Sequence, residues 1–243
     1  SAGSKDVFVA KIDASGNYVW AKQAGGTSGD TGWGISTLSD GSAIVTGEFQ
    51  GTATFGSTTL TSAGGNDVFV AKIDASSTYV WATQAGGTST DNAYDISTLS
   101  DGSAIVTGYF QGTAAFGSTT LTSAGSKDVF VAKIDASGNY VWAKQAGGTS
   151  GDTGWGISTL SDGSAIVTGE FQGTATFGST TLTSAGGNDV FVAKIDASST
   201  YVWATQAGGT STDNAYDIST LSDGSAIVTG YFQGTAAFGS TTL

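Results

Sequence analysis

Asp6-Val7-Phe8-Val9-Ala10-Lys11-Ile12-Asp13 is the stretch that decides the fold. Val7 and Val9 point to one side of an extended chain, and Phe8, Ala10 and Ile12 point to the other. Apolar side chains on both faces predict a strand in a sheet that is packed on both sides. The run returns as Asp67-Val68-Phe69-Val70-Ala71-Lys72, 61 residues later. Residues 1–121 then reappear letter for letter as residues 123–243. The chain therefore holds four units, 1–61, 62–122, 123–183 and 184–243, in odd-even-odd-even order. Repeats of this length point to a propeller, a solenoid or an array whose units gain a core by stacking on neighbours. A single body spanning 1–243 is expected.

The rest of a unit reads as antiparallel strands. Ala14-Ser15-Gly16-Asn17 is a turn, and Tyr18–Gln23 returns as the second strand. Gly25–Gly32 is a loop, and Trp33–Ser39 begins a third strand. Asp40-Gly41 predicts a two-residue hairpin turn with positive φ at both positions. Ser42–Phe49 is the fourth strand, broken at Gln50-Gly51. Gly56-Ser57 predicts a small extra hairpin between Thr52 and Thr61. No stretch carries a 3.6-residue apolar stripe with caps, so the fold class is all-β. Four antiparallel strands per repeat fit a propeller blade. A β-solenoid is the rival, but its coils are shorter and lack three hairpin turns per repeat.

Composition narrows the function classes. Hydrophobic residues at 39% and charged residues at 12% are too apolar for a disordered chain. The 38 glycines sit at fixed places between apolar runs, as turn residues do. A net charge of −12 repels phosphate backbones, so nucleic acid is not an expected partner. No apolar run approaches a membrane span. Ser1, with no signal peptide and no methionine before it, is expected to be a processed start, such as the scar of a cleaved tag on a soluble recombinant product.

The run Gly32-Trp33-Gly34-Ile35, then Asp40-Gly41, Val45-Thr46-Gly47 and Asp6–Asn17, resembles the bacterial β-propeller repeat family of SBBP type. The likeness covers most of each unit and recurs four times. It implies that the strand from Ile35 lies innermost, followed by Ser42–Phe49, Asp6–Asp13 and Tyr18–Gln23. The error-free duplication is similar to that of designed symmetric propellers of the Cake and Scone kind. In that register residues 1–23 supply two outer strands and residues 218–243 two inner ones. Bare edges invite aggregation, so pairing of the two ends is expected to complete a composite blade. Two chains joined head to tail would give an eight-bladed ring; one chain closing on itself would give a four-bladed monomer. The two-chain ring is favoured, because small Gly, Ala, Ser and Thr residues fill a wide wedge poorly.

Odd and even units differ at twelve positions, five of them between Gly29 and Gly34 in the loop that leads to the inner strand. Candidate binding residues follow from that loop. Trp33, Tyr94, Trp155 and Tyr216 are candidate sugar-stacking platforms, with Asp30, Asp91, Asp152 and Asp213 beside them as hydrogen-bonding partners. Packing between blades is the plainer role for the aromatics. The aspartates, joined by Asp95 and Asp217, would suit Ca²⁺ as a ring of oxygens. Asp bonding to nearby amides in a solvated loop is the simpler reading. Trp20, Trp81, Trp142 and Trp203 lie in strands and are expected to pack. Without histidine or cysteine the chain has no Ser/His/Asp or Cys/His arrangement, and no catalytic residue, metal ligand or cofactor is assigned. Gly25–Asp30 lacks the Gly-Lys-Ser/Thr ending of a phosphate cradle. The expected function is that of an engineered or consensus structural scaffold that closes a ring and is not an enzyme. A carbohydrate-binding, lectin-like module is the alternative.

Overall fold

The computed structural model describes residues 3–243. Ser1 and Ala2, where the first repeat opens, lie outside the described residues. In chain order the strands are β1 (Val7–Ile12), β2 (Tyr18–Gly26), β3 (Thr31–Thr37), β4 (Ala43–Phe55), β5 (Thr58–Ile73) and β6 (Tyr79–Gly87). They continue with β7 (Asn92–Thr98), β8 (Ala104–Phe110), β9 (Thr113–Phe116), β10 (Thr119–Thr122), β11 (Asp128–Ile134) and β12 (Tyr140–Gly148). The last eight are β13 (Thr153–Thr159), β14 (Ala165–Phe177), β15 (Thr180–Ile195), β16 (Tyr201–Gly209), β17 (Asn214–Thr220), β18 (Ala226–Tyr231), β19 (Ala236–Phe238) and β20 (Thr241–Thr242). The fold is all-β, as expected, and every pairing between these strands is antiparallel.

The strands pair as four-stranded modules in the order expected for a unit. The first module runs β3-β4-β5-β6, the second β7-β8-β11-β12 and the third β13-β14-β15-β16. A two-residue pairing then ties the outermost strand of each module to the next. Gly86 and Gly87 of β6, for example, pair with Ala115 and Ala114 of β9. The remaining strands form two small hairpins, β9 with β10 and β19 with β20, and two half modules. β1 pairs with β2, and β17 with β18. β1 and β18 lie in different sheets and do not pair with each other, so among the described residues no ring closes within the chain.

Turn chemistry accounts for the strand ends. The Asp40-Gly41 loop differs from expectation: it has three residues, with Leu38 N bonded to Ser42 O and Gly41 N to Leu38 O. Only Gly41 takes a positive φ, +80°. This is a type I turn closed by a left-handed residue, which releases Asp40 from the strained region. Its carboxylate accepts the Ser42 amide at 2.8 Å and the Ser42 hydroxyl at 2.5 Å. The Gly56-Ser57 turn does form, joining Phe55 to Thr58. In odd units Gln50-Gly51 does not end the strand; β4 passes it with a register shift and runs on to Phe55. In the second unit the break holds, between β8 and β9.

The cores lie between modules. One cluster joins Ile44, Val68 and Val70 of the first module to Phe110 and Phe130 of the second and Phe116 of β9. Another joins Ile105, Val129 and Val131 of the second to Ile157, Phe171 and Phe191 of the third. A third sets Val7 and Val9 of β1 against Val45, Phe49 and Phe69. Inside the chain the repeated strand is buried from both sides, as its two apolar faces require: Val68, Phe69 and Val70 have no exposure, whereas β1 buries Val7 and Val9 and leaves Phe8 and Ile12 exposed. Trp20, Trp81 and Trp142 pack against these clusters, whereas Trp203 is exposed.

Candidate functional site

Trp33, Tyr94, Trp155 and Tyr216 sit on β3, β7, β13 and β17, the inner strands, along which the modules meet. They form one row. Trp33 meets Tyr94 edge-on at a centroid separation of 5.6 Å, and Trp155 meets Tyr216 the same way at 5.7 Å. Tyr94 instead stacks on Trp155 at 4.1 Å. Alternating Trp with Tyr therefore creates two kinds of junction, edge-on from odd to even and stacked from even to odd. Stacking hides the facing surfaces of Tyr94 and Trp155, so a sugar platform is left only at the row's two ends. There Trp33 is 54% exposed and Tyr216 47%. Trp33 also donates its indole N–H to the Glu48 carboxylate.

Asp30, Asp91, Asp152 and Asp213 have a different job. Each is buried and staples its own loop. One oxygen accepts the amide of Gly26, Gly87, Gly148 or Gly209 at 2.7–2.8 Å. The other accepts the amide of Gln50, Gln111, Gln172 or Gln233. Burial pushes the carboxyls of Asp30 and Asp91 up from the usual range, and that of Asp152 up to about 6. The bonds of each aspartate stay within its own unit. Among the described residues no three acidic side chains gather as a metal-holding group.

Asp95 and Asp217 are placed otherwise, on the inner strands. Asp95 accepts the Ile96 amide with Oδ1 and the Ile157 amide of the next module with Oδ2, both at 2.8 Å. Asp217 holds its own Ile218 amide with Oδ1 in the same way.

Sequence reasoning missed two features. One is a ladder between inner strands. Ser36 meets Thr98 at 2.9 Å, Ser97 meets Thr159 at 3.0 Å and Ser158 meets Thr220 at 2.9 Å, hydroxyl to hydroxyl. The repeated Ile-Ser-Thr of every unit was the signal. The other is the pair of open apolar edges. On β1, Phe8 is 78% exposed and Ile12 55%; on β18, Ile227 is 64% exposed. A cleft of about 450 Å³ beside β1 and β3 is lined in part by Phe8, and one of about 350 Å³ lies beside β18. Exposed apolar edges of this kind mark interaction surfaces.

No family model matches the chain, and no curated protein matches it.

Proposed function

We propose that the chain is a structural scaffold of the β-propeller kind, engineered or consensus in origin, which works by closing a ring rather than by turning over a substrate. The observation that carries this reading is the row of inner strands. β3, β7, β13 and β17 follow one another side by side, each step made by the same Ser–Thr bond. Four-stranded sheets that meet along their inner strands, with apolar layers between sheets, suit a radial arrangement. The half modules at the two ends then supply the inner and outer strands of one further blade. Closure would bury Phe8, Ile12 and Ile227, each worth about 1.5–3 kcal/mol when fully removed from water.

The lectin-like alternative rests on Trp33 and Tyr216 alone, and closure would turn those two rings toward each other. Hydrogen exchange at the edge amides of β1 tests the closed reading. Protection matching that of β11 is expected. Exchange as fast as in an unstructured peptide would sink it.

A further inference from the structure

We propose that the two open edges are mating surfaces for a second copy of this chain, joined head to tail into a two-chain, eight-module ring. The inference rests on the closed-ring reading above and adds the identity of the partner. Residues 226–232 carry the same letters as 104–110, and residues 6–12 the same letters as 128–134. The pairing of β8 with β11 is therefore a worked copy of the missing one. There Ile105 faces Lys133, Gly108 faces Phe130 and Phe110 faces Asp128. Transferred between copies, Ile227 faces Lys11, Gly230 faces Phe8 and Phe232 faces Asp6.

The side chains fit that register. Phe130 and Ile134 have no exposure, where Phe8 and Ile12 are open to solvent. Ile105 is fully buried, where its counterpart Ile227 is exposed. The cleft beside β18 is lined by Val190, Ala215, Val228, Phe232 and Phe238. Their counterparts Val68, Ala93, Val106, Phe110 and Phe116 enclose Phe130, Ala132 and Ile134. The cleft beside β1 is lined by Val7, Val9, Ile35 and Val45. Their counterparts Val129, Val131, Ile157 and Val167 enclose Ile105. Each end lacks the side chains that the other end exposes.

The inner row supplies the same kind of match. Tyr94 stacks on Trp155 and Asp95 accepts the Ile157 amide. Tyr216 and Asp217 repeat Tyr94 and Asp95, so they present the same ring and carboxylate to Trp33 and Ile35 of a second copy. Ser219 likewise stands where Ser97 does, and would meet Thr37 of that copy.

The step between modules says why the partner is a second copy. Three near-equal steps carry the row from β3 to β17, and they leave β17 without the extended contact to β3 that joins the other neighbours. Ile35 is 55% exposed on that side, against 3% for Ile96 and Ile157. A fourth step of the same size does not return to β3. Closure at this step needs more than four modules, and two chains supply eight. The interface is heterologous and closes by rotation.

Light scattering on the full chain and on two variants, Phe8→Asp and Ile227→Asp, tests this. Both positions are exposed in the single chain, and circular dichroism checks that the sheets persist. The parent is expected at twice the 24.1 kDa of one chain. Each variant alone has no intact junction and is expected at the single mass. An equal mixture has one sound β1 edge and one sound β18 edge, and is expected to regain the double mass. A parent of single mass with protected β1 amides would mean self-closure, overturning the second copy while keeping the closed ring. Single mass with unprotected amides would overturn both. A parent heavier than two chains, or a mixture that stays single, also defeats the two-chain proposal.

Discussion

Asp95 Oδ2 accepts the Ile157 amide at 2.8 Å, bridging the second and third modules across the inner row. The other oxygen holds the Ile96 amide. Asp95→Ala strands two amides in a packed junction, and a buried donor left without an acceptor costs about 1–3 kcal/mol. Asp95→Asn keeps a carbonyl for one amide and removes the buried charge, so it is expected to cost less than alanine. Urea titrations of the three chains give the order parent, Asn, Ala from most to least stable. An alanine variant as stable as the parent would show that the bridge holds nothing together.

Stability is expected to rise as the pH falls from neutrality toward about 5. Burial pushes the carboxyls of Asp67, Asp95 and Asp152 up to about 6. Amides of Ala63, of Ile157 and Ile96, and of Gly148 and Gln172 oppose that rise at the three sites. Nearby carboxylates reinforce it: Asp91 at Asp67, Asp217 at Asp95, and Asp128 and Glu170 at Asp152. Each group binds its proton more tightly folded than unfolded, where an Asp titrates near pH ~4. Between those values the native state holds more protons, so stability grows as pH drops. Below about 4 the direction reverses. Asp40, Asp101 and Asp162 are held below the usual range, first by the hydroxyls of Ser42, Ser103 and Ser164, and protonation forfeits those bonds. Urea midpoints at pH 7.5, 5 and 3 (about, in each case) should therefore peak in the middle. A midpoint that falls steadily from pH 7.5 to 5 contradicts the assignment.

The strand content was legible in the letters because period-two patterning and turn residues act locally; the order of the strands across a module was implied by the family resemblance. Val129-Phe130-Val131 needs no tertiary information to announce a strand with two apolar faces, and both are buried; its copy Val7-Phe8-Val9 leaves Phe8 exposed. The Asp40-Gly41 turn was placed correctly and sized wrongly, since two- and three-residue loops share the same Asp-Gly signature and differ only in which backbone groups bond. Site chemistry was less legible. Asp30 and Asp95 are both loop-adjacent aspartates in the sequence, yet one staples its own loop and the other bridges two modules. That difference comes from strand-to-strand approach, which a repeat unit read alone does not contain. Asp67 opens the repeated run Asp67–Lys72 in the sequence and lies inside β5 in the structure. In the fold it is 1% exposed and holds the Ala63 amide at 2.8 Å.

Ser77 and Ser199 adopt positive φ, 70° and 68°, at the turn where odd units place Gly16 and Gly138 at 87° and 89°. A left-handed backbone costs a residue with a Cβ about 1–2 kcal/mol, while glycine's greater unfolded freedom returns part of any gain. The turn itself is unchanged between unit types: Asp74 accepts the Ser76 and Thr78 amides as Asp13 accepts those of Ser15 and Asn17. Ser77→Gly is therefore expected to stabilise by about 0.5–1 kcal/mol, and the double variant with Ser199→Gly by about twice that, since the turns are independent. Thermal melts would show it. A destabilised Ser77→Gly chain would mean that the serine side chain earns its place through a contact beyond the turn.

Phe130 and Phe8 are the same residue of the same unit in different surroundings. Phe130 is fully buried against Phe116, with ring centroids 4.8 Å apart. Truncating such a side chain to alanine costs about 3–5 kcal/mol, from lost transfer energy and the cavity left behind. Phe8 projects from an edge of the single chain, where substitutions usually fall within about 0.5 kcal/mol. If the edges mate, Phe8→Ala should lose little in a dilute, dissociated sample and much in a concentrated one. The parent's melting temperature should then climb with protein concentration, because association stabilises by mass action, and the Phe8→Ala chain should lose that climb. Phe130→Ala should be destabilised at every concentration. Melting curves of the parent and both variants across a hundredfold dilution series (about that range) separate the two behaviours. Parallel, concentration-independent losses in both variants would place Phe8 in a core within its own chain.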